Sequence, residues 1–187
     1  MLFQLKTRIF SLGGSMDITD FQGVPYYQVQ ASFFSIGKKL DLYDMQGSQL
    51  AHIQQRVIAF TPEYDIYQMG QMVATIKQHL FSLFGERFTV ESSMGTFDIA
   101  GDWMNWNYSI DQNGMTIASI TKEFAMFQDV YAVNILDGAD VPLLLSLAIV
   151  VDEVASAHRS QGTPGPLNIL DDILYGLRRD ELSNLPV

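Results

Sequence analysis

Four basic residues near two predicted strands are the best candidates for holding an anion. Lys38 and Lys39 directly follow Gly37, and Lys6 and Arg8 are two residues apart in an alternating segment. The side chains of Lys6 and Arg8, two residues apart, leave the same face of a strand. Their chemistry would be the binding of an anionic headgroup or a phosphate. The alternative is that these charges lie on a solvated hairpin end and on edge strands, where they discourage aggregation.

The histidines do not form a metal-binding motif. His52, His79 and His158 lie on separate predicted elements, and neither H-x-x-H nor H-E-x-x-H spacing occurs. The G-x-x-x-x-G-K-[ST] pattern of a phosphate-binding P-loop is also absent around Lys38. We therefore expect surface histidines, and we predict no metal and no cofactor.

Three carboxylates could serve as a general acid–base pair. Asp98 and Asp102 lie on one predicted strand and Glu91 on the strand before it, and such pairs act when one pKa is raised. Strand alternation directs these side chains outward, however, where they promote solubility. We predict no catalytic residue and no enzymatic activity.

Trp103, Trp106 and Tyr108 form an aromatic cluster around Asn105 and Asn107. The cluster could be a stacking platform for a ligand or a sugar. The alternative is that it attaches a strand connection to the protein core.

Composition excludes several classes of protein. The chain has 187 residues, a net charge of −10, 48% hydrophobic residues and no cysteine. Disulfide frameworks, zinc ribbons, iron–sulfur sites and cysteine nucleophiles are therefore ruled out. The negative charge argues against nonspecific binding to nucleic acid and weakens attraction to anionic lipid.

No segment has the length of a membrane span. Gln4, Lys6 and Arg8 interrupt the apolar N-terminal residues, so no signal-peptide core is present. The longest apolar stretch, 141–151, would cover roughly 16 Å as a helix, against about 30 Å of hydrocarbon. We predict a cytoplasmic protein without a transmembrane segment.

The first 136 residues show the period-two alternation of half-buried strands. Tyr27, Val29 and Ala31, for example, alternate with glutamines, and Asn113-Gly114 is a strong two-residue hairpin signal. About twelve strands joined by short turns favour an antiparallel meander. Closure of that meander into a barrel would remove its exposed edges.

An apolar helix is predicted over residues 140–157. Asp140 is a suitable N-cap, and Pro142 fits the first turn. Apolar residues then cover the whole circumference, among them Leu143, Leu144, Leu147, Ile149, Val150 and Val151. Because such a helix must be buried on every side, we predict a mainly β fold in which a closed barrel of about twelve strands encloses it. A core helix on one sheet face and a membrane-inserted helix are the alternatives.

The C-terminal segment reads as an addition to the barrel domain. Gln161–Pro166 is a Gly/Pro linker, and an amphipathic helix is predicted from apolar residues at helical spacing, namely Leu167, Leu170, Ile173, Leu174 and Leu177. We predict a barrel domain over 1–158 and a linker and tail over 159–187. The tail helix either packs on the barrel or mediates self-association or partner docking.

Several segments resemble the LURP-one-related (LOR, YxjI-like) family. They are Ser32–Leu40, Leu42–Gly47, Gly101–Trp103, Asn107–Ile110, Ile117–Lys122 and Tyr131–Val154. The resemblance implies the tubby C-terminal-like fold, which is a twelve-stranded barrel around a hydrophobic helix. Tubby domains bind phosphoinositides, and phospholipid scramblases are distantly similar.

We therefore expect a non-enzymatic binding or scaffold module, with an anionic phospholipid or phosphoinositide-like headgroup as the leading ligand. No tubby lipid-contact residue matches a position here. A scramblase-like membrane-associated protein and a protein that self-associates through its tail are the alternatives.

Overall fold

The described part of the chain contains twelve β-strands followed by one α-helix. The computed structural model describes residues 1–7, 14–32, 35–79, 86–102, 107–123 and 129–160. The elements are β1 (Leu2–Thr7), β2 (Ser15–Thr19), β3 (Pro25–Ala31), β4 (Lys39–Asp44), β5 (Gln49–Gln55), β6 (Glu63–Gln68), β7 (Gln71–Gln78), β8 (Glu86–Ser92), β9 (Gly95–Asp102), β10 (Asn107–Gln112), β11 (Met115–Glu123), β12 (Asp129–Ile135) and α1 (Val141–Ser160).

The strands form a closed antiparallel barrel in which each strand pairs with its neighbours in sequence. Pairing of β1 with β12, with Phe3 opposite Val133, closes the sheet. The connections alternate between two ends of the barrel. We call the end with residues 20–24, 45–48, 69–70, 93–94 and 113–114 the turn end, and the end with residues 35–38 and 56–62 the loop end.

Alternating strand residues fill the barrel. Leu40, Ile53 and Ile66 are directly opposite one another on β4, β5 and β6, and all three point inward. Among the strand side chains that the structure describes, nine are completely inaccessible to solvent, namely those of Ile18, Val29, Leu42, Ile53, Ile66, Ile76, Val90, Ile110 and Val133. The predicted closed barrel of twelve antiparallel strands is therefore confirmed.

Helix α1 begins with the predicted cap. The Leu143 amide donates to the Asp140 carboxylate over 3.0 Å, which satisfies one amide that has no partner within the helix. Gln68 Nε2 donates to the same carboxylate over 3.2 Å. The cap therefore joins the start of the helix to the end of β6.

The barrel encloses the apolar part of α1. Leu143, Leu144, Leu147, Ile149, Val150 and Val151 are each at most 1% exposed, and the Ser146 hydroxyl donates to the Pro142 carbonyl over 2.8 Å. Burying about eight large side chains contributes on the order of 15–20 kcal/mol as an upper bound. Within the described residues, no helix is long and apolar enough to cross a membrane.

The chain divides into two compact units, Met1–Asp152 and Glu153–Val187. The second unit contains the last residues of α1, and the predicted tail residues Leu167, Leu170, Ile173, Leu174 and Leu177 lie outside the described residues. The predicted domain boundary at residue 158 and the role of the tail stay predictions.

Candidate functional site

Lys38 and Lys39 lie where the β3–β4 connection enters β4 at the loop end. The Lys38 amide donates to Gln55 Oε1 over 3.0 Å, and the Gln55 amide donates to the Lys38 carbonyl over 2.8 Å. Both lysine residues are half-buried. The β3–β4 connection is therefore fastened to the end of β5.

Gly37 permits the close approach of the two loop-end connections. Its φ is +76°, and a Cβ added there would lie 2.7 Å from Val57 Cγ1 and 3.1 Å from the Gln55 carbonyl oxygen. Only glycine fits both the backbone angle and the space. Residues 35–38 and 56–62 are thereby brought side by side.

These two connections expose a group of apolar side chains, which we call the loop-end patch: Ile36, Val57, Ile58 and Phe60. Ile36 is 84% exposed, Val57 56% and Ile58 97%, and Phe60 is fully exposed. Sequence reasoning missed this patch, although four apolar residues, Val57–Phe60, lie between Arg56 and Pro62 in a connection between predicted strands.

The charges beside the loop-end patch are positive. Residues 35–39 and 55–62 contain Lys38, Lys39 and Arg56 and no acidic residue. The Arg56 guanidinium is already engaged, because Nε and Nη2 each lie 2.8 Å from the Asp65 carboxylate. Lys38 also interacts within the protein, and Lys39 is the next residue along the chain.

Arg56 belongs to an ionic network on the outer face of β6 and β7. Its Nη1 lies 3.3 Å from Glu63 Oε2, and Lys77 Nζ lies 2.7 Å from Glu63 Oε1. The hydrogen bond from Lys77 holds the pKa of Glu63 below its ordinary value. The Asp65 carboxylate raises the pKa of Arg56. The network fixes Arg56 at the base of the β5–β6 connection.

Within the described residues, Lys6 does not lie on a strand next to β4, which follows Lys38 and begins at Lys39. Lys6 lies on β1, opposite Val130 on β12, and β2 and β3 separate β1 from β4. Arg8 and the side chain of Lys6 lie outside what the structure describes. A joint anion site of all four cations stays a prediction.

His52 has a partner that its sequence spacing did not reveal. Its Nδ1 lies 2.6 Å from Asp41 Oδ1 on the neighbouring strand, and Gln49 Nε2 donates to the same oxygen over 2.6 Å. The strand register places Asp41 opposite His52, so the pair could be found only from the pairing.

A cleft of about 340 Å³ opens beside His52. Its lining consists of Gln49, Ala51, His52, Gln54, Tyr67, Met69 and Gly70. Two of these lining residues, Gln49 and His52, are hydrogen-bonded to the Asp41 carboxylate.

The other candidate side chains are dispersed. His79 Nε2 lies 2.7 Å from the Thr89 hydroxyl on the outer face, and His158 lies outside the described side chains. The described residues contain no group of three histidines or carboxylates that could hold a metal. Glu91 and Asp98 are exposed on the outer face, in agreement with the outward direction predicted for them.

Tyr108 is buried rather than available for stacking. It lies opposite Gly101 on β9, and a Cβ on Gly101 would come within 2.1 Å of the tyrosine ring. The ring therefore occupies the space above the glycine. The side chain of Asp102, Trp103 and Trp106 lie outside what the structure describes.

Comparison with known proteins agrees with the barrel. The LURP-one-related sequence profile matches residues 1–152. The chain belongs to the LURP-one-related family. A crystal structure of an Arabidopsis thaliana protein superposes with a TM-score of 0.59 at 16% identity, covering 82% of this chain and 91% of that one. That likeness shows a shared fold.

The LURP-one-related match ends at Asp152, which is also the end of the first compact unit. The loop-end patch, the His52 cleft and the apolar part of α1 all lie within the matched region. No curated protein matches the chain. The family and its tubby-like barrel fit a binding module, and the ligand has to be argued from the surface of this chain.

Proposed function

We propose that this LURP-one-related domain is a non-enzymatic binding module that docks on anionic phospholipid surfaces through the loop-end patch. The observation that carries the proposal is the exposure of Ile36, Ile58 and Phe60 beside Lys38 and Lys39. Apolar side chains that insert among acyl chains, with lysines at headgroup level, are the usual elements of reversible interfacial binding.

The expected affinity is modest. Burial of one large apolar side chain contributes about 1.5–3 kcal/mol, and each lysine near an anionic leaflet contributes about 1 kcal/mol. The net charge of −10 opposes approach to an anionic membrane, least where the lysines face the membrane. Binding should therefore be reversible, sensitive to salt and restricted to one orientation.

The test is retention of the full chain on vesicles. Phosphatidylcholine vesicles with and without phosphatidylserine are floated at low salt, and bound protein is quantified. We expect binding to the anionic vesicles only. Ile58→Ser/Phe60→Ser should abolish it, and Lys38→Glu/Lys39→Glu should reduce it.

A matched control comes from the opposite end of the barrel. Met69 and Met115 are comparably exposed there, so Met69→Ser/Met115→Ser should leave vesicle binding unchanged. Absence of retention at low salt would refute the proposal. Equal loss of binding in both double variants would show that the loop-end patch is not the contact.

A further inference from the structure

Among the residues that the structure describes, exposed methionines are concentrated at the turn end of the barrel. Met45, Met69, Met94 and Met115 lie in or directly beside the four hairpin turns at residues 45–48, 69–70, 93–94 and 113–114, and Met72 lies just after one of them. Each is at least 45% exposed, and Met69 is fully exposed. The turn end therefore exposes an apolar side chain at each of these four successive hairpin turns.

Neighbouring turns are held together. Gln112 Nε2 donates to the Met94 carbonyl over 2.9 Å, which connects the β8–β9 turn to β10. The β6–β7 turn, with Met69 and Gly70, forms one wall of the cleft beside His52. The turn end therefore offers adaptable thioether side chains and a recess that an apolar side chain could enter.

The charges at the turn end are negative. Asp20 lies in one of its connections, Asp44 is the last residue of β4, and Asp137 lies at the same end in the connection from β12 to α1. Glu91 is exposed one residue from the end of β8. The Asp44 carboxylate accepts the amides of Ser48 and Gln46 over 2.8 and 2.9 Å, and the Ser48 amide contributes most to lowering its pKa. This carboxylate therefore stays ionised.

The basic residues lie away from this surface. In the described part of residues 1–152, none of the turn-end connections contains a lysine or arginine. The lysines and arginines of this part all lie in or near the loop-end halves of the strands, and they are Lys6, Lys38, Lys39, Arg56, Lys77, Arg87 and Lys122. The ammonium of Met1 does lie at the turn end, where the Ile135 carbonyl and the Asp137 carboxylate bind it over 2.6 and 3.1 Å.

We propose that the turn end docks a basic amphipathic helix of a partner protein. The apolar stripe of that helix packs on Met45, Met69, Met94 and Met115, and its lysines or arginines face the surrounding carboxylates. Methionine suits this task because its flexible, polarisable side chain adapts to different apolar surfaces. The absence of nearby lysines and arginines selects against acidic partners.

The test uses two synthetic helical peptides that share a leucine stripe. One peptide carries lysines on its polar face and the other carries glutamates. Binding to the full chain labelled with ¹³C at the methionine methyl groups is followed by fluorescence anisotropy and by methyl NMR. We expect the lysine peptide to bind roughly ten-fold or more tightly than the glutamate peptide. Signals of Met45, Met69, Met94 and Met115 should shift, and that of the buried Met16 should not.

Two sets of variants separate this proposal from the membrane proposal. Met94→Ser/Met115→Ser should weaken the lysine peptide about ten-fold, and Glu91→Gln should reduce its salt dependence. Ile58→Ser/Phe60→Ser should leave peptide binding unchanged. Equal binding of the two peptides, or methyl shifts that spare Met94 and Met115, would overturn the inference whatever the vesicles show.

Discussion

Replacement of Gly37 by alanine should destabilise the protein through two separable effects. A non-glycine residue in the left-handed region costs about 1–2 kcal/mol, and the φ of Gly37 is +76°. The new methyl group would also lie 2.7 Å from Val57 Cγ1, well inside the 3.5–4.0 Å of a favourable carbon contact. Overpacking of this kind costs about 1–3 kcal/mol. We therefore expect Gly37→Ala to lower the free energy of unfolding by about 2–5 kcal/mol.

Gly47 provides the matched control. Its φ is +84°, and a Cβ there would meet nothing within 4 Å. Gly47→Ala should therefore show only the backbone effect, about 1–2 kcal/mol. The difference between the two variants measures the steric contact between the loop-end connections.

A double-mutant cycle completes the test. Val57 is more than half exposed, so Val57→Ala alone should change stability by at most about 0.5 kcal/mol. In the Gly37→Ala background it should restore about 1 kcal/mol or more, because Cγ1 is gone. Free energies come from urea unfolding followed by far-UV circular dichroism. Equal losses in Gly37→Ala and Gly47→Ala would refute the close approach of the two connections. No recovery in the double variant would refute the contact with Val57 and assign the loss to the Gln55 carbonyl oxygen, which lies 3.1 Å from the added Cβ.

Two further predictions concern the core and the ionic network. Leu147→Ala should lower the free energy of unfolding by about 3–5 kcal/mol, because it leaves a cavity beside a fully enclosed helix. Leu147→Met should lower it by less than about 1.5 kcal/mol. Equal losses of the two variants in denaturant titrations would contradict full enclosure. The pKa of Glu63 is lowered from its ordinary 4.5, so its stabilising pair with Lys77 is fully present above that pH and is lost as the pH falls through the lowered value. The stability difference between the wild type and Lys77→Met should therefore shrink on acidification, and a difference independent of pH would argue against the pair.

Sequence reasoning predicted the fold well because the relevant signals are local. Alternation marks which residues of a strand face inward, and the circumferentially apolar run after Pro142 favours a helix that is buried on every side. The Asn113-Gly114 turn is likewise determined by residues that tolerate positive φ, and the φ of Asn113 is +53°. Closure of the barrel follows from the number of strands.

The candidate sites were less predictable because they depend on which connections lie side by side. Lys38 and Lys39 were identified as basic residues, but their apolar neighbours Ile58 and Phe60 come from a different connection. The pairing of Asp41 with His52 requires the strand register. The sequence does show four methionines near turn glycines. That these methionines lie at one end of the barrel follows only from the order of the strands.

The pairing of β1 with β12 has a consequence for biosynthesis. Every other ladder joins strands that are consecutive in sequence, so hairpins can form locally as the chain is made. The pairing of β1 with β12, which completes the wall around α1, joins residues more than a hundred positions apart. Such long-range closure is slow. Until the helix has emerged from the ribosome, the nascent sheet presents an apolar inner face and two open edges. The growing chain is therefore an expected client of chaperones until the barrel closes.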